Sequence, residues 1–321
     1  MSAFGAPPVE TVTEYSFQPG DLRVSERLPG VSGFTRTRNG ADFIEATIRM
    51  HIDALDELVV VYNQCTDATP DILARLARDY APKLKVYHYT DRVYPPGSAE
   101  HEKAPPDSPH SVVNYSNFAL SRTTRAIVTK VDDDHLAMPG RMKSLADQAR
   151  RSADMDRVMY CYSGVNLTRG ADGALALPAE DLLCGNGDHW FLRVATGTHF
   201  VHDKRYETLS YPGLRREFSA FAYWHLKYLK SGGGFANYEL ERNPRGRFAR
   251  KRARISASQT IGLDEARRRL RPALKDRLLA AVDDKRRLLR DRAVAFSATF
   301  PQQNLEDALD ATCPGWREWL A

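Results

Sequence analysis

The feature that most constrains this chain is a β-branched run, Ala126-Ile127-Val128-Thr129-Lys130-Val131, that stops abruptly in Asp132-Asp133-Asp134-His135. A short, continuous apolar run of this kind reads as a strand buried on both faces, which requires helices on either side of its sheet. The same pattern recurs upstream. Val31–Thr37 reads as a strand, and Phe43, Ile44, Ile48 and Ile52 give helical spacing across 41–54. Leu58–Tyr62 is a second buried strand. The turn Thr66–Pro70 then leads into a helix over 71–80, with proline near its first position. Lys85–Tyr89 is a third strand, and a helix over 115–124 precedes the run that ends in the triplet. This βαβαβ order predicts an α/β fold with a mostly parallel, Rossmann-like central sheet flanked by helices. Ligands bind such sheets beyond the carboxyl ends of the strands, where the triplet falls.

Downstream the pattern predicts a helix over Pro139–Arg151, a strand around Arg157–Cys161 and an element starting at Trp190. Phe218, Phe221, Ala222, His225 and Leu229 fall on one helical stripe, so Glu217–Lys230 reads as a helix ended by Ser231-Gly232-Gly233-Gly234. Residues 91–111 hold five prolines and form a long loop, a candidate lid over a site. Beyond residue 260 the sequence is helical and Arg-rich, with Leu263, Ala266, Leu270, Leu274, Leu278 and Val282 on one face and Pro272 as a kink point. Three parts follow: an irregular lead-in over 1–28, a main domain over 29–240, and a basic, mainly helical C-terminal region over 241–321.

Hydrophobic residues make up 42% and charged residues 27%, the balance of a globular domain that needs no disulfide staples. The four cysteines, Cys65, Cys161, Cys184 and Cys313, form no CxxC pair, which argues against a structural zinc site. The opening residues lack the pattern of a signal peptide, and no run is long enough to span a bilayer. These features point to the cytoplasm. Charge is unevenly placed. Residues 241–300 carry 18 Lys/Arg against 7 Asp/Glu, although the whole chain is only +5. That segment is either a solvated face of Arg-rich helices or a surface for an anionic partner, such as the inner face of the plasma membrane.

Adjacent carboxylates at a strand end repel one another unless a cation neutralises them. In an extended segment side chains alternate, so Asp132 and Asp134 should point one way and Asp133 the other. Two carboxylates on one side suit a hard cation such as Mn²⁺ or Mg²⁺, which can also bridge diphosphate oxygens. A solvated turn or a helix cap would account for the acids equally simply.

Taken in order, these motifs resemble the family-2-like, GT-A-fold glycosyltransferases of bacteria. Gly33–Gly40, with Thr35, Arg36, Arg38 and Asn39, looks like the family's first strand and turn. Asp56–Thr69 looks like its second strand and acidic turn, with Tyr62 and Asn63 where paired aspartates are usual. Asn117 matches the helix start that precedes the acidic motif by fifteen residues, and Asp132-Asp133-Asp134 resembles the metal-binding DxD. Gly185–Trp190 looks like the later region that supplies the base, with Asp188 retained.

The resemblance implies a metal-dependent transfer from a nucleoside-diphosphate sugar, UDP-sugar favoured, to a saccharide or lipid-linked acceptor. Surface-polysaccharide or glycoconjugate synthesis and an inverting outcome are implied in the same way. Thr35, Arg36, Arg38, Asn39, Asn63, Asn117, Asp132 and Asp133 would contact the donor. Asp132 and Asp134 would hold the cation, with His202 as a late histidine ligand. Asp188 would be the general base, with His189 as the alternative. Trp190, Tyr211 and Trp224 could stack on an acceptor sugar, or simply be core aromatics. Two rivals remain. A nucleotidyltransferase would carry a glycine-rich phosphate loop where this chain has only Gly40. A nucleic-acid-binding protein would use 241–300, but that segment lacks interleaved stacking aromatics, so nucleic acid is not the expected partner.

Overall fold

Val59, Val60 and Val61 are fully buried, flanked by parallel strands on both edges and packed over on both faces. The computed structural model of the chain describes residues 9–185, 189–202, 207–271 and 283–320. Its first strands are β1 (Glu10–Val12), β2 (Leu28–Thr37), β3 (Glu57–Asn63), β4 (Leu84–Tyr89), β5 (Arg125–Lys130), β6 (His135–Ala137) and β7 (Val158–Asn166). These are followed by β8 (Thr168–Arg169), β9 (Leu175–Pro178), β10 (Leu183–Cys184), β11 (Trp190–Arg193), β12 (His199–His202), β13 (Glu207–Ser210), β14 (Arg215–His225) and β15 (Thr260–Ile261). The helices are α1 (Ile44–His51), α2 (Thr69–Asp79), α3 (Ala99–Lys103), α4 (Val112–Ser121), α5 (Pro139–Arg151), α6 (Arg247–Ser256), α7 (Leu263–Arg269), α8 (Asp284–Thr299), α9 (Leu305–Thr312) and α10 (Arg317–Leu320).

The main sheet runs β1-β4-β3-β2-β5-β11-β7-β14-β6, with β10 also pairing with β7. Strands β1 to β5 pair in parallel, as do β7 and β14. Strands β11, β10 and β6 run against their neighbours. This is the mostly parallel, helix-flanked α/β sheet that the order of strands and helices predicts. Apolar residues of α1, α2 and α5 fill one side, while α4 contributes to a second core cluster with Phe34, Val59 and Val61. Every residue of α4 is buried, and the helix starts earlier than its spacing predicts because the Ser111 hydroxyl caps the Val113 amide at 3.1 Å.

The helix expected over 217–230 is instead β14, a strand paired on both edges. Register shifts at Phe218/Ala220 and Phe221/Tyr223 break the two-residue alternation. The interrupted strand therefore mimics helical spacing. Its last five residues, Phe221 to His225, are all buried, so no polar face marks the period. Within the lead-in, residues 10–12 form an edge strand parallel to β4. Loop 91–111 is largely irregular as expected, apart from the short α3.

The helical C-terminal region packs on the far end of the sheet. Phe296 and Phe300 lie 5.6 and 5.7 Å from Phe221, and Trp224 donates to the Thr312 hydroxyl at 3.0 Å. Leu263 and Ala266 are buried as the apolar stripe predicts, whereas Pro272, Leu274, Leu278 and Val282 lie outside the described residues. No helix among the described residues is long and apolar enough to cross a membrane.

Glu57 ties strands β2, β3, β4 and β5 together at the end of the sheet away from the triplet. Its buried carboxylate accepts from Ser32 Oγ at 2.6 Å, the Thr124 amide at 2.7 Å and Lys85 Nζ, while Ser32 Oγ accepts from the Arg125 amide at 3.0 Å. Burial alone would raise its pKa, but the bonds from Lys85, Ser32 and Thr124 outweigh burial and lower it. The staple therefore stabilises the fold above the ordinary glutamate pKa and is lost as pH falls through the depressed folded value. Glu57→Ala should cost about 3 kcal/mol in urea unfolding near neutral pH and less in acid; equal losses at both pH values would contradict this reading.

Candidate functional site

Between Lys130 and His135 the chain leaves the sheet and turns, and that turn places the three aspartates. The alternation expected of an extended segment does not hold, because β5 ends at Lys130 and residues 133–134 are already in the turn. Asp133 and Asp134 converge on one ammonium, Lys230 Nζ, at 2.7 and 3.5 Å. Asp132 faces elsewhere, with Lys130 Nζ at 2.7 Å and His189 Nε2 at 3.1 Å. Asp133 also accepts from Thr37 Oγ1 at 2.5 Å, a bond that links the end of β2 to the triplet. Gly40 permits this approach, since a Cβ there would lie 2.6 Å from Asp133 Oδ2.

Three histidines surround the acids. His225 ends β14 and bonds Asp134 at 3.1 Å through Nε2, while its Nδ1 meets the Asn166 side chain. His189 bonds Asp132 on one nitrogen and shares the Tyr223 hydroxyl at 3.1 Å on the other. His135 stacks on the Tyr223 ring at 3.7 Å, and both its buried nitrogens lack hydrogen-bond partners. Tyr223 in turn needs Gly164, where a Cβ would come within 2.1 Å of the ring.

Burial opposes ionisation of all three acids, and their partners decide the outcome. Lys130 and then His189 outweigh burial at Asp132 and hold it well below the usual range. Lys230 and His225 do the same for Asp134. For Asp133, burial and the neighbouring Asp134 charge prevail over Lys230 and raise the pKa. Burial would lower His225, but Cys184 and Asp134 raise it to about 10. Burial and the nearby His189 keep His135 neutral, well below its ordinary value.

These groups fit a divalent cation. Asp132, His135 and His189 offer donor atoms within 4.8 Å of one another, as do Asp134, His135 and His225. His135, common to both sets, has no hydrogen-bond partner on either nitrogen, so a lone pair is uncommitted and could go to a cation. Two imidazoles per carboxylate favour Mn²⁺ over Mg²⁺, which prefers oxygen. The set built on Asp132 is the readier, because a cation on the other must displace the His225 proton.

Other expected residues take different roles. His202 belongs to neither cluster; it sits on β12 with its ring 5.2 Å from His101, and His225 stands at the triplet in its place. Asn63 is committed to the chain at 89–93, donating to the Tyr89 and Asp91 carbonyls and accepting from the Val93 amide, so its amide is not presented to a nucleobase. Asn117 is likewise engaged, clamping the Phe200 amide and carbonyl at 2.7 and 2.9 Å to hold β12 on α4. Asn39 accepts from the Thr66 amide and joins the loops after β2 and β3.

Arg36 pairs with Glu207, and Thr35 is buried with its hydroxyl unpartnered. Arg38 has a buried, unpartnered Nε, and its carbonyl accepts from Asn237. Trp190 and Trp224 are core residues, and Tyr211 packs against the core beside α4. Asp188 lies outside the described residues. The spacing patterns missed Lys130, His135, Tyr223, His225 and Lys230. His135 adjoins the triplet and was the most visible, whereas the last three were hidden by reading 217–230 as a helix.

No family model and no curated protein matches the chain. Among solved structures it is similar to S. aureus TarS 1-349, at 16% identity over 61% of this chain and 60% of that one, with a TM-score of 0.35. It is also similar to glucosyl-3-phosphoglycerate synthase from Mycobacterium tuberculosis, solved with Mn²⁺, UDP-Glc and phosphoglyceric acid. There the identity is 18% over 52% of this chain and 54% of that one, with a TM-score of 0.31. The chain thus spans only half to three-fifths of either structure. Its own residues must carry the functional argument.

Removing the Lys230 ammonium leaves two buried carboxylates short of a counter-charge and removes a positive charge beside the candidate cation set built on Asp134. Lys230→Met should lower the melting temperature in EDTA and show a larger Mn²⁺-induced rise than the wild type in differential scanning fluorimetry. An equal or smaller rise would mean that Lys230 does not share charge with the cation.

Proposed function

We propose that the protein is a divalent-cation-dependent glycosyltransferase that moves a sugar from a nucleoside diphosphate, with UDP-sugar as the first donor to test, to a saccharide or lipid-linked acceptor. One observation carries this reading: the triplet lies at the topological switch point of the sheet. From β2 the chain builds β3 and β4 on one side and then returns to lay β5 on the other. The carboxyl ends of β2 and β5 therefore bound the crevice where parallel sheets bind nucleotides. Thr37 to Gly40 enter it from β2, Asp132 to Asp134 from β5, and the Thr37–Asp133 bond spans it.

The chemistry required of such a site matches what the residues can do. Asp132, His135 and His189 would hold the cation, which would supply charge for the departing diphosphate. Lys230 and Lys130 keep the neighbouring carboxylates neutralised while the donor enters. With His189 proposed as a cation ligand, Asp188 is the proposed general base that takes the acceptor hydroxyl proton. Thr35, Arg36 and Arg38 are proposed to line the nucleotide side. The basic region is proposed to rest on an anionic membrane face, which would suit a lipid-linked acceptor. An inverting outcome goes with a single displacement.

The nucleotidyltransferase rival is disfavoured by the loop after β2, whose one glycine serves the approach of Asp133 rather than a phosphate cradle. The test is release of nucleoside diphosphate from UDP-, GDP- and dTDP-sugars with Mn²⁺ and with EDTA. Mn²⁺-dependent release should fall by at least about 100-fold in Asp132→Asn, and by roughly 10²- to 10⁴-fold in Asp188→Asn if that residue is the base. No release from any donor, together with no Mn²⁺-dependent nucleotide binding, would reject the assignment.

A further inference from the structure

A second concavity lies beside the triplet's own support. The segment 226–235 sends Lys230 to Asp133 and Asp134, while its Tyr228, Gly232, Gly233 and Phe235 wall a cavity of about 290 Å³. The remaining walls come from β8, α6 and the residues around β15. Volumes near 300 Å³ are at the lower end for small-molecule sites, enough for a ligand of a few carbons or one ring.

The lining has one sign of charge. Arg169 and Arg252 border the cavity, and no aspartate or glutamate does. Among the described residues, Arg169 donates to the carbonyls of Gly173 and Leu320, at 3.0 and 2.9 Å, and meets no carboxylate. Arg252 forms no ion pair among the described residues, although its α6 neighbours Lys251 and Arg254 face Asp181 and Glu180. Two uncompensated guanidiniums suit the planar, multi-acceptor geometry of a phosphate. The hydroxyls of Thr168, Ser256 and Thr260 add donors. Tyr228 and Phe235 stand nearly parallel, 6.4 Å apart at 28°, and give an apolar side against which a carbon skeleton can lie. Gly232 and Gly233 both have positive φ, 73° and 63°, a succession that side-chain-bearing residues rarely adopt. The wall there stays low.

We propose that this cavity binds the phosphate group of a small phosphorylated, hydroxyl-rich ligand, with Arg252 and Arg169 as its anion contacts. The group is either the acceptor's own phosphate or that of a free effector. The first alternative rests on the glycosyl-transfer reading; binding itself does not.

Titration calorimetry with inorganic phosphate and with glucose 6-phosphate, in EDTA so that no cation can recruit phosphate to the triplet, tests binding. Saturable binding is expected for both, at least tenfold tighter for the sugar phosphate, with none for glucose. Arg252→Gln should weaken binding tenfold or more and Arg252→Lys should restore part of it, with melting temperatures confirming that both fold. Asp134→Asn should still bind phosphate, which separates this site from the triplet. Unchanged binding in Arg252→Gln, or no saturable binding in the wild type, overturns the proposal whether or not the protein transfers sugar. In transfer assays, a KM raised tenfold in Arg252→Gln only for a phosphorylated acceptor identifies the acceptor's phosphate. A phosphate-dependent rate change with an unphosphorylated acceptor, lost in that variant, identifies an effector.

Discussion

Three carboxylates in one turn, two of them buried, are the constraint that the rest of this structure serves. Two like charges about 4 Å apart at an effective dielectric near 20 repel by roughly 4 kcal/mol. Lys130 is the one nearby cation, two residues before Asp132. The other compensating groups come from three distant places: Thr37 at the end of β2, His189 at the start of β11, and His225 with Lys230 at and just beyond the end of β14. Sheet order is what brings them together. β11 and β14 flank β7, which puts His189 and His225 on either side of His135. The fold and the site are therefore one electrostatic problem, and a change in strand order would leave charges buried without partners.

Much of this was legible in the sequence, and the boundary of what was legible is physical. Buried parallel strands announce themselves because both faces are apolar, so β2 to β5 and the triplet's place beyond β5 could be read directly. α5 runs over Pro139–Arg151 as its pattern predicts. β14 could not be read by period, because two register shifts change its phase and its last five residues are wholly buried. Its aromatic content, Phe218, Phe221, Tyr223 and Trp224, was the better signal. With β14 taken for a helix, His225 and Lys230 had no route to the aspartates. Asn63 and Asn117 show a different limit. Their residue type suits a ligand contact and a loop clamp equally well, and only the positions of Tyr89, Asp91 and Phe200 decide between them.

The basic C-terminal region looks different once its pairs are known. Arg267, Arg268 and Arg269 meet Asp264 and Glu265, while Lys251 and Arg254 meet Asp181 and Glu180. Much of the local excess therefore holds α6 and α7 to themselves and to the β9–β10 connection. Exposed pairs of this kind contribute little stability each. Their larger effect is on the surface field, which they reduce wherever they form. Among the described residues, Arg252 and Arg169 meet no carboxylate, although Lys251 and Arg254 beside Arg252 do.

The segment 226–235 then has a double dependence. Its start is fixed by β14 and by the Leu226 amide bonding the Asp134 carbonyl at 2.8 Å. Its middle is fixed by Lys230 on Asp133 and Asp134, and by Ser231, whose amide meets Asp42 at 2.8 Å. Beyond that, Gly232 and Gly233 turn the chain into the cavity wall. Of the two candidate cation sets, only the one built on Asp134 shares a carboxylate with Lys230. Gly232 and Gly233, where the cavity begins, lie two and three positions beyond Lys230, so a single short segment is anchored at one site and lines the other.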